Sequence, residues 1–179
     1  GGGGGGGASG GLGVALIDWL VDMAQIFASR LILVVRNGRA ASRFDSWNVR
    51  PRIRVAKLLH CLDDLEAAKL PPCSTIFHLA GTLKDAMLPS LMYESFSKPI
   101  VPKAGGLISL RRLSSDSNWP VRSLVAYSST TSLYGFGGQT NYAAANSILD
   151  AAADFGDDDN DNRGERHPSV IVSAERPRC

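Results

Sequence analysis

The chain has 179 residues, 44% apolar and 20% charged, with 19 Lys+Arg against 17 Asp+Glu and a formal charge of +2. That suits one domain with a real core, and near-neutral charge gives no electrostatic case for a nucleic-acid or membrane partner. No apolar run approaches the roughly 18 residues that span a bilayer, the start has no signal-peptide pattern, and Cys61, Cys73 and Cys179 and the three histidines lack ligand spacing, so no metal is expected. Free cysteines and absent targeting signals imply a cytoplasmic protein.

Ten of the 19 glycines fall in the first 13 residues, seven of them consecutive. Gly1–Gly6 carries nothing to bury and is expected to be disordered. Gly7-Ala8-Ser9-Gly10-Gly11-Leu12-Gly13 then runs into a predicted helix over 14–29, where Leu16, Leu20, Met23 and Phe27 recur at helical spacing. Glycines at a helix N-terminus let a backbone approach a pyrophosphate, and the free N–H groups attract it. A flexible linker abutting a helix fits the same residues, because no apolar strand precedes them. Leu31 to Val35 is an apolar run that fits a strand buried on both faces, and Arg36 follows it directly. A basic residue there suits the 2′-phosphate of NADP, whereas an acidic one would hold the ribose of NAD.

Further on, residues 52–57 alternate as a half-buried strand, 62–70 reads as a helix and 74–80 as another strand. Segments 85–92 and 107–113 look helical, with Pro89, Pro99 and Pro102 interrupting the region. Residues 123–128 form a strand, 142–154 a strong helix, 156–167 a solvated acidic loop and 169–173 a last strand. Strands alternating with helices predict an α/β fold: a Rossmann-like, doubly wound parallel sheet. Ser129 ends a strand, where ligands of such sheets sit, and Tyr142 and Asn146 share one helix face.

The stretch Ser128-Ser129, then Gly138-Gln139-Thr140-Asn141-Tyr142-Ala143-Ala144-Ala145-Asn146 with Leu149-Asp150 behind, resembles the ketoreductase domains of modular polyketide synthases and animal-type fatty acid synthases. These belong to the short-chain dehydrogenase/reductase superfamily. Phe77-His78-Leu79-Ala80-Gly81, Leu83-Lys84-Asp85-Ala86 and Pro102-Lys103-Ala104-Gly105-Gly106 are similar to the family's other elements, in family order. Most short-chain reductases carry Tyr-x-x-x-Lys on one helix; here Asn146 stands in that place and Lys103 lies upstream, the arrangement of the polyketide enzymes.

The resemblance implies NADPH-dependent reduction of a β-ketoacyl thioester on an acyl carrier protein, alongside other synthase domains, in polyketide or fatty acid biosynthesis. By the same resemblance Tyr142 is the proton donor, Lys103 tunes it and holds the ribose, Ser129 holds the carbonyl and Asn146 orders a proton relay. Gly7, Gly10, Gly11, Leu12, Gly13, Arg36, Ala80, Gly81 and Lys103 would contact the cofactor. Asp85 and Tyr134 would bear on product configuration: Asp85 keeps the last acid of a Leu-Asp-Asp element, Lys84 replaces its middle one, and Tyr134 stands where the opposite type has tryptophan. The sequence departs from the family at both ends. Glycine replaces the first strand, and the lid helices and final strand would follow Cys179, so 7–179 is expected to be an incomplete domain. Two alternatives follow: an inactive structural fragment of a synthase, and a stand-alone reductase of a small ketone.

Overall fold

The computed structural model describes residues 11–27, 31–35, 53–57, 72–154 and 169–173. They belong to two compact units, one within Gly4–Pro71 and the other mainly within Pro72–Cys179. The glycine run, Gly7, Gly10, Arg36, the helix expected over 62–70 and the acidic loop over 156–167 lie outside the described residues.

In the Gly4–Pro71 unit, helix α1 (Gly11–Phe27) leads to strand β1 (Leu31–Val35), which pairs in parallel with β2 (Ile53–Lys57) from Leu31 opposite Ile53 to Val35 opposite Lys57. α1 starts earlier than periodicity predicts, at Gly11, so Gly11, Leu12 and Gly13 form its first turn rather than a loop before it. That turn holds no acidic residue.

The second unit is built on β3 (Thr75–His78), β4 (Ser123–Ser128) and β5 (Ser169–Ser173), all parallel in the order β3-β4-β5. Along β4, Leu124, Ala126 and Ser128 are buried while their neighbours are half-buried, as expected of a strand covered on both faces. Between β3 and β4 run a 3-10 turn (Leu88–Ser90), helix α2 (Tyr93–Ile100), a π-turn (Val101–Gly105) and helix α3 (Gly106–Asp116). A short α4 (Thr131–Tyr134) and a long α5 (Thr140–Asp154) follow β4. Ile76, Leu107, Val121, Leu124, Ala126 and Leu149 form the core, with Cys73, Leu110, Trp119 and Ala152 packed around it.

A doubly wound sheet carries its strands in the order 3-2-1-4-5-6. The described ladder of each unit is parallel throughout, as the strands of such a sheet are.

Two expectations for the middle of the chain are corrected. Residues 85–92 do not form a helix. The Ala86 N–H donates to the Gly138 carbonyl at 2.8 Å instead of to its own preceding turn, and only Leu88–Ser90 coils. Nor do Pro99 and Pro102 interrupt the region that follows: α2, the π-turn and α3 run on without a break, with Pro99 buried inside α2. Proline removes an N–H and crowds the carbonyl four residues back. Widening the helix by one residue over Val101–Gly105 accommodates this.

Candidate active site

The carboxyl ends of β3 and β4 deliver His78, Ser128 and Ser129, and the π-turn and α5 add Lys103, Tyr142 and Asn146. Lys103 is only 4% exposed although it carries an ammonium group. Its Nζ donates to the Tyr127 carbonyl at 2.7 Å and lies 5.3 Å from the centre of the Tyr142 ring. A cation over an aromatic face is attracted by the ring's negative face. Burial lowers the Lys103 pKa to about 8, and the Asp150 charge partly opposes that fall. The ammonium thus remains the main form at neutral pH but is poised to lose its proton just above it. Gly81 lies against its chain: a Cβ there would sit 3.2 Å from Lys103 Cε.

Ser129 is buried, and its Oγ accepts from the Thr131 N–H at 3.3 Å and the Thr131 hydroxyl at 3.0 Å. With the oxygen thus supplied, its own proton is left to donate. Asn146 is fully buried on α5. Its Nδ2 donates to the Tyr142 carbonyl at 2.8 Å, its backbone carbonyl accepts from Ser128 Oγ at 3.4 Å, and its Oδ1 is buried without a partner. The Thr82 hydroxyl oxygen is likewise buried and unpartnered. Buried polar atoms in proteins are nearly always satisfied, so both mark places for a water or a ligand.

Asp85 is exposed, and both its carboxylate oxygens accept from Gln139 Nε2, at 3.3 and 3.2 Å. Together with the Ala86–Gly138 bond, this ties the segment after β3 to the loop that precedes Tyr142. Gly138 has φ of 77°, a region that side chains rarely adopt, which the turn into α5 requires. Tyr134 stands 84% exposed at the end of α4, apart from this clasp in its hydrogen bonding.

Sequence reasoning gave Asn141 no role, yet its side chain is fully buried. Its Nδ2 donates to the Lys84 carbonyl at 2.8 Å and the Ser95 carbonyl at 2.7 Å, while its Oδ1 accepts from the Tyr142 N–H at 2.8 Å. The Ser95 carbonyl would normally accept from residue 99, but that residue is proline and has no N–H. Asn141 supplies the missing donor. A proline four residues beyond a helical carbonyl, with an amide side chain elsewhere in the motif, is the signal that could have suggested the pairing.

A parallel α/β sheet with lysine, serine, tyrosine and asparagine assembled beyond its strand ends has the Rossmann-like architecture of the short-chain dehydrogenases and reductases. A short-chain dehydrogenase of Brucella melitensis shares the fold, with a TM-score of 0.70 at 17% identity over 82% of this chain and 64% of that one. The KR domain model matches residues 6–162, and the chain belongs to this family of ketoreductase domains. A 6-methylsalicylic acid synthase of Arthrobotrys oligospora is 31% identical over 180 residues, which cover 86% of this chain and 10% of the relative. The first ketoreductase of the tylosin polyketide synthase has a TM-score of 0.67 at 30% identity, over 81% of this chain and 32% of that one. The chain therefore spans about a tenth of the length of that synthase and about a third of the solved ketoreductase chain. Among the described residues, no helix is long and apolar enough to cross a membrane.

Proposed function

We propose that the chain reduces a β-ketoacyl thioester to the β-hydroxyacyl thioester with NADPH, the substrate being carried on an acyl carrier protein within a polyketide synthase. The observation that carries this reading is the buried Lys103 ammonium set against the Tyr142 ring, with Ser129 and Asn146 at the same strand ends. Ketone reduction needs a hydride on carbon and a proton on oxygen. The nicotinamide supplies the hydride when bound.

The chain's own residues serve the oxygen. The Tyr142 hydroxyl donates the proton. The Ser129 hydroxyl, its oxygen already held by Thr131, donates a hydrogen bond to the carbonyl and stabilises charge growing there. Lys103 keeps a positive charge beside the tyrosine and binds the cofactor ribose. Asn146 holds a water on its free Oδ1, through which the proton is replaced.

Several features suit the cofactor. The head of α1 has glycines at 11 and 13 and no acidic residue to repel a phosphate, so Gly11, Leu12 and Gly13, preceded by Gly7 and Gly10, are assigned the pyrophosphate. Arg36 is assigned the 2′-phosphate that separates NADPH from NADH. Ala80 and Gly81 stay half-open beside the unpartnered Thr82 hydroxyl and are assigned the nicotinamide end with Lys103. Asp85 orients the substrate through its clasp on Gln139, and Tyr134 offers an exposed ring to the acyl group.

The test is NADPH oxidation with a β-ketoacyl thioester mimic, wild type against Tyr142→Phe. Turnover by the wild type that the variant loses, with NADPH binding retained, is the expected result. No turnover and no NADPH binding by the wild type would sink the reading.

A further inference from the structure

His78 ends β3 and is 5% exposed, although an imidazole in a core costs free energy unless it is hydrogen-bonded. Its Nε2 lies 2.8 Å from the Lys103 carbonyl. A carbonyl only accepts, so Nε2 carries the proton and donates. Burial lowers the His78 pKa, and the Lys103 charge adds to that fall while the carbonyl bond opposes it, so the ring is neutral at neutral pH.

The same carbonyl also accepts from the Gly106 N–H, which is shared with the Val101 carbonyl across the π-turn. His78 thus occupies the second lone pair of the carbonyl at the centre of the widened turn. The ring fits there because residue 106 is glycine: a Cβ would stand 2.7 Å from His78 Cε1 and 3.3 Å from Nε2. Nothing in the hydride or proton chemistry above uses this histidine. A packing role alone would be met by an apolar side chain with no polar atoms to satisfy.

We propose that His78 is a positioning residue for Lys103: its Nε2–H and the seating of its ring on Gly106 fix the π-turn that holds the lysine beneath the Tyr127 carbonyl and beside the Tyr142 ring. The inference rests on reading Lys103 and Tyr142 as the reductase pair, but its first readout is the lysine's environment and needs no turnover. The titratable groups facing Lys103 are Tyr142 and Asp150 on α5 and His78 at the end of β3, and β4 contributes the Tyr127 carbonyl.

The experiment uses the full chain. Competitive acylation of Lys103 is followed by peptide mass spectrometry from neutral to alkaline pH in the wild type, His78→Leu, His78→Gln and Gly106→Ala. Leucine fills space without a donor, and glutamine returns an N–H at a similar reach. In the wild type Lys103 titrates near 8. In His78→Leu and Gly106→Ala it moves up towards the ordinary lysine value of 10.5 as the turn releases the side chain, whereas in His78→Gln it stays near the wild-type value.

With turnover as second readout, His78→Leu lowers kcat about 10–100-fold with KM little changed, as expected for a misplaced group, and glutamine restores it. A folded His78→Leu that keeps the wild-type titration overturns the proposal. So does a His78→Gln whose titration moves as far as that of His78→Leu, since volume rather than the donor would then matter. Should His78→Leu lose its far-UV circular dichroism, Gly106→Ala and His78→Gln decide by the same criteria. If the variants shift the lysine titration as expected but the wild type shows no turnover and no NADPH binding, the reductase reading fails while the positioning of Lys103 stands.

Discussion

α1 and α5 are helices of similar length that contribute to the fold in opposite ways. On α5, Asn141, Ala145, Asn146 and Leu149 are all buried; the Asn141 side chain donates to the backbone of neighbouring segments and that of Asn146 to the Tyr142 carbonyl within the helix. On α1, Ile17 is the large apolar side chain buried among those described, while Leu12 and Trp19 are half exposed or more. What α1 is assigned to do depends on its backbone N–H groups and the small size of its first residues. What α5 does depends on named side chains held by other named groups. A backbone device tolerates change wherever the helix start is preserved; a side-chain constellation fails residue by residue.

The sharpest way to break this comparison is at α5. Tyr142→Phe is expected to lose about 10²–10⁴-fold in turnover, the usual cost of removing a general acid, with NADPH affinity unchanged by fluorescence titration. An equal loss from an α1 variant with intact cofactor binding would contradict the division. Leu149→Ala should destabilise the Pro72–Cys179 unit by about 2–5 kcal/mol in chemical denaturation, because Leu149 is 1% exposed in the core.

Asn141→Ala should cost about 1–3 kcal/mol for each carbonyl it leaves unpaired, at Lys84 and Ser95. It should lower kcat as well, because the same side chain accepts from the Tyr142 N–H. Retention of full stability would mean that another donor reaches Ser95. At the other end of the chain, Arg36→Ala should weaken NADPH about tenfold or more while sparing NADH and stability, since bonds to charged groups contribute about 1.5–3 kcal/mol. Loss of affinity for both cofactors would count against a 2′-phosphate role.

The remaining effects are those of pH, through Lys103 on the alkaline side and His78 on the acid side. Turnover should fall as pH rises through about 8, where Lys103 loses its charge. Stability should run the other way there. The folded state resists protonating Lys103, so a cost present at neutral pH disappears as pH climbs from about 8 to 10.5. The His78 pKa is also lowered, so its contribution is complete above its ordinary 6.5 and is lost as pH falls below that. Thermal melts of His78→Gln should therefore be flatter than wild type on the acid side.

Much of the site was legible in the sequence because chemistry-bearing residues at fixed spacing constrain one another. Lys103 lies against the Tyr142 ring and Asn146 bonds to the Tyr142 carbonyl, an arrangement that the family order of these motifs leads one to expect. The strands at 31–35, 123–128 and 169–173 stand where apolar runs place them, since burial on both faces leaves a continuous signal. The run from Asp85 to Gly105 was misread. Local periodicity suggested a helix where Ala86 bonds across to Gly138, and proline suggested a break where the helix widens instead.

By itself the sequence determined the class of fold and the family and nominated the candidate side chains of the site, because these follow from periodicity and from motif order along the chain. Only the tertiary structure decided how those side chains are held. That Asn141 satisfies the carbonyl freed by Pro99, that Gly106 makes room for His78, and that Lys103 is buried enough to drop to about 8 are matters of contact across 25 to 57 residues of chain. Hydrogen bonds and desolvation depend on distance in space, and spacing along a chain reveals that only where a regular element fixes the geometry between.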